Sequence, residues 1–458
     1  MKTTHSSIYY PNQYTHNING SLEVDIRIEA NPYNLPVESL YEMAARINKK
    51  RSFLFVSKVL GKHIPLHPCI PFISSALLAS IYYEEEMSQT LAEKEQLIEA
   101  LKDGSKERVE AAYSVAKELS FALNEPVVFI GFAETATALG HGVFDCFTNA
   151  SYIHSTRERI VDQEVTLYFE EEHSHATDQL CYAPKEMFDH DKPICLVDDE
   201  ITTGKTALNI ISSIQKKYPR KEYTVLSLLD WRTKEDRQRL KDFEDMWGIQ
   251  IKTYSLLSGT IQVKGTPDVE EQVDADEQIP LEKINDHSIH LRDISSPIAH
   301  YPYSSVDSHG MKNDTPYSAL TGRFGLSSKH RQSIEDYCRQ VGQYLKTKRV
   351  GKKTLCLGTG EFMHLPMKAS VYMGDGISYH STTRSPIFPL NNDRYPIKNR
   401  LVFESPDDPG IVQYAYNILN SQYDEVFLFF ERTVSEERRQ SLLRQFYHVP
   451  HIHVVDFI

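Results

Sequence analysis

The sequence has no CxxC pair, no apolar run long enough to span a bilayer and no surplus of positive charge. Its six cysteines, Cys69, Cys146, Cys181, Cys195, Cys338 and Cys356, are scattered, mostly in apolar runs where a thiol behaves as a small hydrophobe. That argues against a dithiol redox motif and fits a reduced, cytoplasmic protein. The start, "MKTTHSSIYYPNQY", lacks the apolar core of a signal peptide. The longest apolar stretches, "IPFISSALLASIYY" and "PVVFIGFAETATALG", are too short or too polar to be membrane spans, so no membrane partner is expected. Lys plus Arg number 50 against 63 Asp plus Glu, a formal charge of -13. A surface of that sign repels phosphate backbones, and nucleic acid is not expected as a primary partner.

What is present is enough chain for two or three domains, 458 residues of which 40% are hydrophobic. The first 83 residues read as a mixed cap, with a helix expected over 36–50 and a strand at "RSFLFVSKVL". Residues 84–124 carry apolar residues at helical spacing around a break at Asp103-Gly104, a helical hairpin that feeds the strand "PVVFIG". Helix and strand then alternate through "ASYIHSTRERI", "ICLVDD", a helix from Lys205 or Thr206 to Lys217, "YTVLSLLDW", a charged helix over 233–246 and "IQIKTYSLL". Such alternation predicts an α/β fold with a parallel sheet. An acidic aperiodic stretch, "GTPDVEEQVDADEQIPLEKINDH", has linker composition. The expected division is a first domain over 1–265, a linker over 266–300 and a second α/β domain over 301–458.

One segment, "ICLVDDEITTGKTA" at 194–207, carries the chemistry. A Walker A loop needs glycine five positions before its Gly-Lys, and Asp199 stands there instead. What remains is a buried strand delivering two carboxylates, then a turn of small residues opening a helix. The N–H groups and positive end of that helix suit a phosphate, with the hydroxyls of Thr202, Thr203 and Thr206 as further donors. Carboxylates repel phosphate, so Asp198 and Asp199 are expected to accept hydrogen bonds from the two hydroxyls of a ribose. Together they describe a site for ribose 5-phosphate.

This segment resembles the phosphoribosyl pyrophosphate (PRPP) motif of type I phosphoribosyltransferases: apolar strand, two acids, two variable residues, Thr-Thr-Gly, one residue, Thr. The resemblance implies that fold, with Asp198 and Asp199 as the catalytic acids on the ribose hydroxyls. Thr202, Thr203, Gly204, Lys205 and Thr206 would hold the 5-phosphate, Lys205 standing where the family often has glycine. It also implies Mg2+ held through PRPP, with no direct protein ligand assigned. A pyrophosphate loop is expected after an earlier strand, and "VVFIGFAETATALG" supplies Ala133, Glu134 and Thr135, with Glu134 64 residues before Asp198. Glu134 is unusual at an anion site; it either meets a Mg2+ water or a basic substrate group, or caps its helix. Arg157 is a candidate pyrophosphate ligand because a guanidinium matches phosphate oxygens two at a time. His173 and His175 fall where the family carries a mobile loop, and the resemblance implies that they would act there on leaving group or base.

The second half repeats the spacing of the first. Gly131 precedes Glu134 by three and Arg157 follows it by 23; Gly358 precedes Glu361 by three and Arg384 follows it by 23. Further on, "DEVFLFFERTVSEERRQ" has strand, acid and helix in the place of the PRPP motif, with Phe429 and Phe430 where the acids would stand. Residues 327–458 are therefore expected to be a degenerate copy of the core, keeping the anion loop and arginine and losing ribose recognition. Thr383-Arg384-Ser385-Pro386 adds to the resemblance: the chain is similar to a bacterial family with an orotate-phosphoribosyltransferase-like domain and a C-terminal TRSP domain, associated with tellurium resistance and stress operons. That implies a Mg-dependent transferase using PRPP and an unknown acceptor to make a nucleoside- or nucleotide-like metabolite, with stress-operon proteins or a second copy as candidate partners. Glu361, Arg384 and Ser385, together with Gly322, Arg323 and Phe324, are expected to bind a second anion or the acceptor. The alternatives are a PRPP-sensing protein without turnover, an ATPase dependent on Lys205, and a purely structural partner of stress proteins.

Overall fold

The computed structural model describes residues 6–10, 12–47, 51–161, 163–170, 178–269, 284, 286–291 and 299–457. Its largest sheet has a parallel core in the order Gln250–Lys264, Glu222–Asp230, Ile194–Ile201, Val127–Gly131, Ala150–His154. Ile194, Cys195, Leu196 and Val197 are all 0% exposed, which is why the central strand reads as an unbroken apolar run. Antiparallel strands led by Glu23–Ala30 extend one edge. The helix Ile70–Met87 crosses behind this sheet and packs on the helix Ala136–Phe144. Among the described residues no helix is long and apolar enough to cross a membrane.

A second sheet repeats the plan: Asp286–His290, His451–Asp456, Glu425–Phe430, Thr354–Gly358, Ile377–Ser381, all parallel. Covering it, the helix Arg331–Lys346 buries Ile334, Cys338, Val341 and Leu345, one stripe at helical spacing. The copy extends to single hydrogen bonds. Tyr152 Oη donates to Thr137 O at 2.6 Å and Tyr379 Oη to Met363 O at 2.8 Å. Ser155 N donates to Gly131 O and Thr382 N to Gly358 O, while Ile160 N meets Tyr182 Oη and Ile387 N meets Tyr416 Oη. Gly131 and Gly358 are glycines for the same reason: a Cβ would lie 2.6 Å from Ala136 O in one and 2.7 Å from Phe362 O in the other.

The halves are interlaced. Gly61 and Leu66, which precede a helix of the first half, pair with Ser381 and Tyr379 on the edge of the second sheet. Leu326–Ser327, which precedes a helix of the second half, pairs with Ser151 and Tyr152 on the edge of the first. Where the halves meet, His141 and His364 stack at 3.6 Å between ring centroids, and Lys368 Nζ lies 2.7 Å from buried Asp145.

Two expectations change and a third, the hairpin that breaks at Asp103-Gly104, is met with narrower bounds. The helix expected over 36–50 is only Val37–Leu40; Tyr41–Ala45 and Phe53–Ser57 form an antiparallel pair instead. Tyr41, Met43, Ala44 and Ala45 are at most 1% exposed, so burial overrides helical propensity. Within the expected linker, Asp286–His290 is a strand of the second sheet; residues 270–283 lie outside the described residues. The expected hairpin over 84–124 resolves into Lys94–Asp103 and Lys106–Glu118, turning on Gly104 at φ +67°, while Glu84 belongs to the preceding helix.

Candidate functional site

The order of the parallel core reverses between Val127–Gly131 and Ile194–Ile201, where a crevice opens at the carboxyl ends of the strands. A cavity of about 460 Å³ lies there, lined by Ala133, Glu134, Thr135, Arg157, Asp198, Asp199, Thr202 and Thr206. The structure thus brings the strand-end acids, two threonines of the following turn and the expected pyrophosphate loop to one space. Asp198 and Asp199 are half-buried, and Asp199 N donates to Asp198 Oδ1 at 2.9 Å, steadying the pair.

The turn after the acids begins the helix Lys205–Lys217, with Gly204 at φ +75°, a left-handed conformation that favours glycine. Thr203 Oγ1 accepts from Lys205 N at 3.3 Å. Thr203, Gly204 and Lys205 do not line the cavity, in contrast to Thr202 and Thr206.

The loop after Val127–Gly131 is held by a closed ring of hydrogen bonds. Ala133 N donates to Ser155 Oγ (2.9 Å), Ser155 Oγ to Gln179 Oε1 (2.7 Å), and Gln179 Nε2 to Ala133 O (3.0 Å). Both polar backbone groups of Ala133 are therefore used internally. Gln179 is 1% exposed and was not singled out from the sequence. The repeat gives its signal: Gly360 N donates to Thr382 Oγ1 and Thr382 Oγ1 to Gln413 Oε1 in the second half.

The helix Ala136–Phe144 has no side-chain cap bond at its N-cap residue Thr135, and Glu134 is engaged by the second half. Its carboxylate accepts from Arg384 N at 3.2 Å and lies 3.4 Å from Arg384 Nε. Reciprocally, Glu361 Oε1 accepts from Arg157 N at 2.9 Å. Arg384 and Ser385 thus line the first cavity from the second half, whereas Glu361 faces a neighbouring cavity of about 490 Å³ shared with Arg157 and Arg384. His173 and His175 lie outside the described residues.

Four polar residues of the N-terminal cap, Arg46, Arg51, Lys62 and His63, add to the wall beside Leu54 and Phe55. Sequence reading gave the cap no catalytic content. Arg51 pairs with Glu200, whose pKa is raised by burial against the pull of that guanidinium. Burial, and then Lys62, drive the His63 imidazole well below its usual range, so the ring is neutral at pH 7. Ser57 N donates to its Nδ1 at 3.3 Å.

In the second half, the register sets Phe429 beside Gly358 as Val197 sits beside Gly131. The counterparts of Asp198 and Asp199 are consequently Phe430 and Glu431, not Phe429 and Phe430, so one acid persists. It is engaged: Arg323, 1% exposed, reaches Glu431 at 3.0 Å, Glu361 at 2.6 Å, Glu158 at 3.1 Å and the Thr156 hydroxyl at 2.5 Å. Burial raises the pKa of Glu361, but Arg323, His154 and the bonds from Thr156 and Arg157 overcome it and hold the group at about 2. The expectation of an anion or acceptor at Arg323 gives way to a guanidinium bound by carboxylates of its own chain.

Residues 40–260 match the family described as phosphoribosyl transferase, and residues 320–446 match the TRSP domain found C-terminal to it. Residues 40–260 thus carry a phosphoribosyl transferase family domain, and residues 320–446 a TRSP domain. No curated protein matches the sequence. Similar solved structures include adenine phosphoribosyltransferase of Saccharomyces cerevisiae, 10% identical over 48% of this chain and 96% of that one, TM-score 0.29. The Trypanosoma brucei adenine phosphoribosyltransferase, in complex with AMP, pyrophosphate and ribose 5-phosphate, is 10% identical over 55% and 86%, TM-score 0.31. That of Rhodothermus marinus is 15% identical over 33% and 80%, TM-score 0.22.

Among the described residues the one close grouping of metal-ligating atoms is His141, Asp145 and His364, away from this cavity, with the Lys368 ammonium already against Asp145.

Proposed function

We propose that the protein binds PRPP in the cavity at the switch point of the first sheet and transfers its phosphoribosyl group to a nitrogen acceptor, giving a nucleoside- or nucleotide-like product. The observation that carries this reading is the convergence of Asp198, Asp199, Thr202, Thr206, Glu134 and Thr135 on one cavity. The acids suit the ribose hydroxyls, the threonine turn suits the 5-phosphate, and the loop at Glu134 and Thr135 suits the pyrophosphate.

In the reaction the nucleophile's lone pair forms a bond to C1 as the C1–O bond breaks and pyrophosphate leaves with the electron pair. The chain's part is to fix both ends of the sugar and to offset the charge gathering on the leaving group, with Arg157 and Arg384 on the cavity wall. Such positioning is worth on the order of 7–11 kcal/mol. Hard oxygen donors at the mouth of the cavity, Asp198 and Asp199, fit Mg2+ held together with substrate oxygens. When bound, that ion would supply positive charge to the pyrophosphate.

The six cysteines are all buried and unpaired, which supports a reducing, cytoplasmic setting. The stress-operon context and its protein partners rest on the resemblance alone. A sensor that binds PRPP without turnover is favoured by one observation, the internal use of both Ala133 backbone groups. Calorimetry with PRPP and Mg2+, followed by pyrophosphate release against a panel of bases and amines, separates the two readings. Release with one acceptor supports the transferase, binding without release supports the sensor, and no binding refutes both.

A further inference from the structure

The internal repeat says what the first cavity is built to hold. Gly61 and Gly322 are counterparts: both have left-handed φ, +68° and +91°, and their carbonyls accept from Ser381 N and His154 N. Those two donors each stand 23 residues after the glycine of their own half's loop, Gly358 and Gly131. A Cβ on Gly61 would meet Tyr379 at 2.8 Å and one on Gly322 would meet Tyr152 at 2.5 Å, and these tyrosines are themselves counterparts. Lys62 in the first site therefore occupies the place of Arg323 in the second.

Arg323 spans the gap between the loop carboxylate Glu361 and the strand-end acid Glu431, and with Glu158 its charge is fully answered. The same gap in the first half lies between Glu134 and Asp199, with the shorter Lys62 beside it. Lys62 is 7% exposed, lines the cavity, and makes no hydrogen bond or ion pair among the described residues. Around it Glu134 is taken by Arg384 and Glu200 by Arg51. The Lys62 ammonium is not among the buried polar atoms left without a partner, so it opens on the cavity as a cation that an anion there can complete. Where the second half closes the gap with its own guanidinium, the first leaves a short cation and a space.

We infer that Lys62 is a ligand-binding residue whose ammonium pairs with the pyrophosphate group of the bound ester, at the junction between the ribose acids and the loop at Glu134. This deepens the PRPP reading and rests on it. The position is the one where charge gathers as the C1–O bond breaks, so a cation there acts on the leaving group and not on the 5-phosphate, which the threonine turn holds on the other side of the acids.

The test compares the full-length protein with Lys62→Met and Lys62→Gln by calorimetry with Mg2+ and three probes: PRPP, inorganic pyrophosphate and ribose 5-phosphate. Affinity for PRPP and pyrophosphate is expected to fall roughly 10- to 100-fold, with ribose 5-phosphate changed less than twofold. Equal losses for all three probes, or none for pyrophosphate, overturn the assignment. A measurement on the unaltered chain covers the case where neither variant folds: acetylation of Lys62 by acetic anhydride, followed by mass spectrometry, should be suppressed by pyrophosphate and not by ribose 5-phosphate. Labelling indifferent to pyrophosphate overturns it as well. If the unaltered protein binds neither PRPP nor pyrophosphate, the function proposed above fails first; if it binds both and the variants match it, only the role of Lys62 fails.

Discussion

Replacing Arg323 with methionine tests whether the second half is stabilised by a satisfied buried charge. Methionine keeps much of the volume and removes the cation. The guanidinium is 1% exposed and serves Glu361 at 2.6 Å, Glu431 at 3.0 Å and Glu158 at 3.1 Å, so its loss strands carboxylates in a buried space. Glu361 sits at about 2 against its ordinary 4.5, a difference worth on the order of 3 kcal/mol at neutral pH. Stranding one partner of a buried pair costs about 3–5 kcal/mol, a large share of a typical stability of about 5–15 kcal/mol. The sign with pH is fixed by the carboxylates. A depressed pKa contributes stability above 4.5 that is lost as pH falls towards 2, and in Arg323→Met the largest favourable part of that contribution is gone. The stranded acids would instead titrate above their usual range, so the variant's deficit should shrink as pH falls from 7 to 5. Urea unfolding of both proteins at the two pH values measures this. A deficit below about 1 kcal/mol at pH 7, or one that is equal at both, would refute the reasoning.

Asp199→Asn should weaken PRPP binding roughly 10- to 150-fold by calorimetry, since a charged acceptor for ribose hydroxyls is worth about 1.5–3 kcal/mol, while the melting temperature stays near that of the parent. Gly131→Ala forces a Cβ to within 2.6 Å of Ala136 O and 2.9 Å of Tyr152 Oη, both ordered parts of the fold, and should cost about 1–3 kcal/mol in thermal unfolding and displace the loop at Glu134. Asp407 is raised to about 6 by burial and then by Glu158, so its ionised form burdens the folded state above that pH. Asp407→Asn should accordingly stabilise the protein more at pH 8 than at pH 4, and an equal effect at both would contradict the environment assigned to it.

Much of the first site was legible because it is local. A buried strand, two acids and a small-residue turn lie within fourteen residues, and the sheet order that exposes them follows from alternating strands and helices. The repeat was legible as spacing, since Gly131, Glu134 and Arg157 recur at Gly358, Glu361 and Arg384. What sequence could not carry was register and distance. The acid counterparts in "FLFFERT" shift by one residue once Phe429 is paired with Gly358, and a one-residue shift changes which side chain stands at the strand end. The cap residues Arg46, Arg51 and Lys62 reach the cavity only through a buried hairpin, Tyr41–Ala45 with Phe53–Ser57, whose sequence has helical propensity. Gln179 sits in a polar segment with nothing local to mark it, and only its closed ring with Ser155 and Ala133 reveals its function.

The interlacing explains why the second half keeps a charged network after losing an acid and the threonine turn. Glu361 holds Arg157 N at 2.9 Å, and Arg157 stands on the wall of the first cavity; Glu134 holds Arg384 N at 3.2 Å, and Arg384 stands there too. Each loop glutamate thereby fixes the backbone of the arginine contributed by the other half. Arg323 keeps Glu361 ionised and in place, so this internal network sets the position of Arg157 on the wall of the first cavity. Because Leu66 bridges to the edge of the second sheet and Leu326–Ser327 pairs on the edge of the first, separating the halves would remove an edge pairing from each sheet and a wall from the first cavity. Damage at Arg323 should therefore reach the first cavity through Glu361 and Arg157, along a path of two direct contacts.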